Sequence, residues 1–253
     1  MKYKKLIVTG CSYTENFGSW AYQLASVYNL ELINLASRGA GNKHMLLSLL
    51  YYLSKNDVNT EDTLIGIMWS DPLREDVLVE KNTEYEDQSI YKYDYDQFNS
   101  RVGMSSIIQK LRSTNMIVKA EIYKSWLTTN DNKSAITLNS WTHIESLITY
   151  LSHNNYTFFQ TAFLDFMNGS MLIKKNGHPI FHSQGYSYLN ELERINLKQN
   201  RVNWIDLTHH EYLGEYAFYN NALETDKIHP SKICAEHWTN KILIPKLTEM
   251  KIL

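Results

Sequence analysis

Two short segments at opposite ends of the chain carry residue types that can do chemistry together. Ser12 stands in Gly10-Cys11-Ser12-Tyr13-Thr14, directly behind the apolar run Lys5 to Val8, and Asp226 and His229 stand in Asp226-Lys227-Ile228-His229-Pro230. A serine hydroxyl is a poor nucleophile at neutral pH. It needs a neutral imidazole within hydrogen-bond reach to take its proton, and a carboxylate that holds this imidazole in the right tautomer. Asp226 and His229 meet the second need locally, three residues apart. Each segment also has a plain structural reading. Serines after strands cap helices, and an Asp and a His before a proline make an ordinary surface turn.

The elements that must position these residues alternate between strand and helix. Lys5 to Val8 reads as a first strand ending at Gly10, and Gly18 to Tyr28 places Trp20, Leu24, Val27 and Tyr28 at helical spacing. Glu31 to Leu35 gives a second strand, Met45 to Leu53 a mostly apolar helix, and Thr63 to Trp69 a third strand, apolar almost throughout. Helical patterns follow at Ser105 to Ser113 and Ser134 to Ser152. Tyr156 to Phe163 is a fourth strand and Asn203 to Leu207 a fifth. Between them, Leu164 to Gly185 carries Gly169, Gly177, Pro179 and Gly185 and is expected to be a long loop. Ser231 opens a last helix through Leu243, with Pro245 limiting or kinking it.

This alternation predicts an α/β fold, a three-layer α/β/α sandwich around a five-stranded parallel sheet. Sites in such folds gather at the carboxyl edge of the strands. Ser12 follows strand one, and Asp226 and His229 lie between strand five and the last helix, so both segments fall at that edge. The chain is expected to form one domain over residues 1–253, with an acidic, tyrosine-rich insertion at about 75–103. From Glu75 to Asn99 there are eight Asp or Glu against two Lys. This is the strongest local charge bias, and it suits a solvated loop or small hairpin.

Composition narrows the function classes. The 253 residues are 43% hydrophobic and 21% charged, as in a folded globular protein. A formal charge of -2 without a dense Lys/Arg block argues against nucleic acid as a partner. Cys11 and Cys234 stand far from each other in sequence, so they suggest no CxxC metal or redox pair. After Met1-Lys2-Tyr3-Lys4-Lys5 only three apolar residues precede Thr9, too few for a signal-peptide core, and no apolar run reaches membrane-spanning length. A cytoplasmic protein is expected. His178 and His182 are separated by Pro179, and His209-His210-Glu211 does not match a zinc motif. No metal and no cofactor are expected. Gly39-Ala40-Gly41 has His44 where a dinucleotide loop would need its third glycine.

Taken jointly, Gly-x-Ser-x-Thr after the first strand and Asp-x-x-His-Pro before the last helix resemble the SGNH, or GDSL-like, hydrolases. That resemblance implies a flavodoxin-like sheet of order 2-1-3-4-5 and an activity among esterases, acetyl hydrolases, lipases and thioesterases. It makes Ser12 the nucleophile, His229 the base and Asp226 its partner. Cys11 and Tyr13 replace the usual acidic residue and leucine around the serine. In Asn34-Leu35-Ala36-Ser37-Arg38-Gly39, the resemblance assigns the Gly39 N–H to the oxyanion hole beside that of Ser12. The third block of the family carries an oxyanion-binding asparagine, whereas this chain has Met68-Trp69-Ser70-Asp71. Ser70, through its hydroxyl, and Asn42, from the neighbouring loop, are the candidate substitutes.

Trp69 and Arg74, beside this edge, are candidates to stack on a sugar or pair with a carboxylate, against core packing and surface solvation. The expected function is serine-dependent hydrolysis of a small-molecule or carbohydrate carboxylic ester through an acyl-enzyme. A non-catalytic binding or structural module on the same scaffold, which the missing asparagine would allow, and an O-acyltransferase stand as the alternatives.

Overall fold

The computed structural model describes residues 2–72, 76–80, 94–95, 98–101, 130–164, 170–175, 178–183, 202–208, 210–225 and 229–253. The sheet at its centre consists of β1 (Lys5–Gly10), β2 (Glu31–Asn34), β3 (Thr63–Trp69) and β7 (Thr157–Ala162), in the order β2-β1-β3-β7. All three pairings are parallel, with Leu6 opposite Leu32 and Leu64, and Ile65 opposite Phe158. Every residue of β3 is buried, which explains its unbroken apolar sequence. A strand covered on both faces has no solvent side for polar residues.

The expected fifth strand is reduced to a single parallel bridge between Gln160 and Trp204. The sheet thus has four strands, not five, although the bridge lies where order 2-1-3-4-5 puts the fifth. The reason is local. Asn203 has φ +53°, a left-handed conformation that cannot continue a ladder, so pairing starts at Trp204 and stops.

Helices cover both faces. On one, α2 (Trp20–Tyr28) packs against α6 (Lys232–Trp238). Gly66 makes room there: a Cβ on it would stand 2.7 Å from Phe159 Cζ and 3.0 Å from Trp20 Cη2. The opposite face takes α3 (Asn42–Lys55), whose Ser48 hydroxyl lies 3.4 Å from that of Thr9, and α3 packs on α4 (Asn130–His153). Thr9 pairs in register with Ile67, the neighbour of Gly66, so the alternation of side chains along a strand puts the two contacts on opposite faces.

Three expectations change outside the sheet. The acidic stretch contains β4 (Val77–Glu80), β5 (Asp94–Tyr95) and β6 (Phe98–Arg101), a separate antiparallel sheet in the order β4-β6-β5. The expected loop after β7 contains a hairpin instead, β8 (Ser170–Lys175) paired with β9 (His178–Ser183). Pro245 does not end the last helix. After α6 come a π-helical segment at Thr239–Leu243 and α7 (Ile244–Glu249). Proline has no N–H to donate and its ring crowds the preceding turn, and the helix accommodates it by widening, with Ile244 N–H bonded five residues back to Thr239. The helical pattern at Ser105 to Ser113 lies outside the described residues.

Candidate active site

Ser12 opens the one-turn helix α1 (Ser12–Glu15) at the end of β1 and is 8% exposed. As the first helical residue, its N–H is among those a helix leaves unpaired. The turn is held from beneath by Thr14. Its carbonyl accepts from Ser19 Oγ at 2.7 Å and from Asn34 Nδ2 at 2.9 Å, and its hydroxyl accepts from Trp20 Nε1 at 3.0 Å. Thr14 N–H closes on Cys11 O. Gly10 permits this tuck, since a Cβ there would lie 2.2 Å from Thr14 Oγ1.

His229 reaches the same place from the other end of the chain. The end of β7 holds helix α5 (Leu213–Tyr219) through Gly214 N–H to Phe163 O at 2.8 Å, and Ala222 N–H returns to Ala217 O. From there the described residues 222–225 and 229–231 bond to one another. Glu224 N–H donates to His229 O at 2.7 Å, Ser231 N–H donates to Ala222 O at 2.8 Å, and Leu223 bridges Pro230. Ser231 then caps α6 by accepting from Cys234 N–H. The outcome is a hydrogen bond of 2.7 Å between His229 Nε2 and Ser12 Oγ, across 217 residues of sequence. Tyr13 lies under the imidazole at 5.4 Å between ring centroids and stacks on Phe163 at 4.5 Å. Asp226 lies outside the described residues, as does Arg74.

Around the serine, Gly39 sits in a turn after β2 with φ +72°, which a side chain would strain. The salt bridge from Arg38 Nε to Glu15 at 3.2 Å joins that turn to α1. Behind it, Asp76 is buried and accepts from Gly41 N–H at 2.9 Å and His44 N–H at 2.7 Å, an acidic cap for α3 supplied from the stretch read as an insertion. Burial lowers His44 from its ordinary 6.5 to about 4, so it is neutral at physiological pH.

The two candidate substitutes for the missing asparagine differ. Asn42 Oδ1 accepts from Ser70 N–H at 2.9 Å, and Asn42 Nδ2 donates to Ser70 O at 3.2 Å and to Ser140 Oγ at 2.8 Å. Both of its N–H groups are therefore committed, and it is a buried clamp between α3, the end of β3 and α4, with no donor left for an oxyanion. Ser70 is fully buried and its hydroxyl has no partner among the described residues. Gly10 pairs with Met68, so Ser70 follows β3 as Ser12 follows β1. Trp69 is a core residue: it is fully buried, and its indole donates to Gln160 Oε1 at 2.7 Å, which leaves no face for a substrate.

Sequence reasoning missed the supports of the site. Thr14 and Asn42 act through partners up to 98 residues away, and nothing local to Asp76 marks it as a cap. Phe17, exposed next to the serine, had only its place in Asn16-Phe17-Gly18 as a signal. Among the described residues there is no group of three or more His, Cys, Asp or Glu able to hold a metal ion, and no helix is long and apolar enough to cross a membrane.

No protein-family description and no curated protein matches the sequence. Solved structures do. A psychrotrophic esterase, EstA, from Pseudoalteromonas sp., whose structure carries the inhibitor monoethylphosphonate, aligns over 99% of this chain and 100% of its own, with a TM-score of 0.50 at 11% identity. A putative acylhydrolase from Bacteroides fragilis aligns over 98% and 88% (TM-score 0.42, 12% identity), and a member of the lipolytic G-D-S-L family from Veillonella parvula over 97% and 96% (TM-score 0.35, 13% identity). The chain thus shares the fold of that esterase, an α/β/α architecture around a parallel sheet, as the sequence leads one to expect.

Proposed function

We propose that this protein is a serine-dependent hydrolase of carboxylic esters that works through an acyl-enzyme on Ser12. The observation that carries the reading is the 2.7 Å contact between His229 Nε2 and Ser12 Oγ. With the ring proton on Nδ1, Nε2 accepts the hydroxyl proton as Oγ bonds to the ester carbonyl carbon, and the carbonyl π pair moves onto oxygen. Asp226, three residues before the histidine, is the proposed partner for Nδ1–H. Collapse of the tetrahedral intermediate expels the alkoxide, which takes the proton from His229. Water, deprotonated in turn by His229, then adds to the acyl carbon; collapse of this second intermediate breaks the bond to Oγ, His229 returns the proton to Ser12 Oγ, and the acid leaves.

The developing oxyanion is met by the N–H groups of Ser12 and Gly39 and by the Ser70 hydroxyl. Ser70 takes this role in preference to Asn42 because its O–H is unspent and its backbone is held on both sides by the Asn42 amide. One such donor contributes about 3 kcal/mol to the transition state.

Initial rates on short-chain acyl esters test the reading. Wild type should turn over, while Ser12→Ala and His229→Ala should each lose at least about a thousandfold. Retained activity in either variant would remove that residue from the mechanism. Ser70→Ala breaks no bond that the described structure contains, so it should fold normally and lower kcat about a hundredfold. An unchanged kcat would exclude Ser70 from the oxyanion hole.

A further inference from the structure

Ser12 borders a shallow surface cleft with room inside for about one water molecule (about 10 Å³), whose walls include Asn16, Phe17, Glu224, Pro230 and Lys232, so a ligand here lies over it. Phe17 stands out there because it is 81% exposed although its surroundings are firmly built. Gly18 turns at φ +83° beneath the Lys232 stem, where a Cβ would meet Lys232 Cγ at 2.8 Å, and Ser19 N–H donates to Asn16 O at 3.0 Å. The Phe17 ring has Tyr22 at 5.3 Å on one side and Lys232 Nζ 5.6 Å from its centroid. An aromatic ring fixed in water beside a candidate nucleophile is apolar area that a ligand can cover.

The position of the histidine says which part of an ester comes here. The base must hand its proton to the departing alkoxide, so the alcohol leaves on the side that His229 occupies. Pro230 follows His229, and Glu224 is bonded to its carbonyl. The cleft therefore faces the alcohol portion. Its chemistry narrows the class. Covering Glu224 and Lys232 with a purely apolar alcohol would strip both of water without replacement. One anion and one cation select neither sign of charge, but together they offer an acceptor and a donor to neutral hydroxyls.

We propose that Phe17 is the platform for the alcohol portion of the substrate, and that this alcohol is a neutral polyol such as a sugar, its apolar face on the ring and its hydroxyls on Asn16, Glu224 and Lys232. The inference rests on the serine-hydrolase reading, and two acetyl esters separate them. Ethyl acetate and an O-acetylated methyl glucopyranoside present the same acyl group on different alcohols. Phe17→Ala, a change at an exposed side chain, should lower kcat/KM about tenfold on the sugar ester, through KM, and leave ethyl acetate unchanged, with Phe17→Tyr restoring it. If Ser12→Ala abolishes turnover but Phe17→Ala affects neither ester, or both equally, the platform falls and the serine reading stands. Activity that survives Ser12→Ala removes the serine reading itself. A readout without turnover is the binding of the sugar ester to Ser12→Ala, followed by nuclear magnetic resonance. Binding that weakens about tenfold on adding Phe17→Ala supports the platform, and no binding to Ser12→Ala overturns it.

Discussion

The segment from Gly10 to Trp20 and the segment from Ala222 to Ser231 deliver the two hydrogen-bonded side chains of the site, and they are held in different ways. The first is buried in the core except at Glu15 to Phe17, with Thr14 accepting three side-chain hydrogen bonds and Gly10 leaving no room for a methyl group above it. In the second, the described residues are partly exposed, joined by Glu224 N–H to His229 O and Ser231 N–H to Ala222 O, and tied down at the ends by α5 and the cap of α6. The nucleophile's segment is thus held by packing in the domain core, whereas the backbone bonds among the described residues of the histidine's segment are local to it.

Substitutions in the two segments should break this contrast or sharpen it. The largest effect is expected from Gly10→Ala, whose Cβ would stand 2.2 Å from Thr14 Oγ1 and 3.2 Å from Met68 O. Overpacking of this kind costs about 3 kcal/mol, to be read from the urea midpoint. In the second segment, Ser231→Ala removes only the cap of α6, at about 1 kcal/mol. Equal losses would show that the two segments are equally constrained.

The buried half of the edge should also govern the acid response. His44 is depressed to about 4 by burial while the unfolded chain keeps its ordinary 6.5. As pH falls from about 6.5 to about 4 the unfolded state takes up a proton that the folded state refuses, so stability falls by about 3 kcal/mol across that window and no further below it. Urea titrations at stepped pH should show this slope, and His44→Asn should flatten it. An unchanged slope in the variant would place the acid sensitivity elsewhere.

What the sequence made legible follows from the same contrast. Thr63 to Trp69 and the neighbouring strands were readable because strands buried on both faces leave unbroken apolar runs. The fifth strand was overcalled because the left-handed turn at Asn203 leaves no mark in hydrophobicity. The β8–β9 hairpin is hidden by the glycines and Pro179, which signal a loop, although Pro179 lies within β9 and pairs with Lys174. At the site, Ser12 and His229 were legible because each falls beside an element boundary and their chemistry needs a partner. The clamp at Asn42 was not, since its bonds to Ser70 and Ser140 exist only once α3, β3 and α4 have come together. Asp76 is obscured by its acidic neighbours, and of the two readings of Trp69, a stacking platform or core packing, the second holds.

The central claim is that Ser12 is a nucleophile activated by His229. Reaction of the folded protein with a fluorophosphonate ester, followed by intact mass and peptide mapping, tests it most directly. The account predicts a single adduct on the peptide containing Ser12, with none in Ser12→Ala and a rate at least a hundredfold lower in His229→Ala, in line with the loss of a general base. An unlabelled folded protein, or equal labelling of wild type and Ser12→Ala, would contradict it.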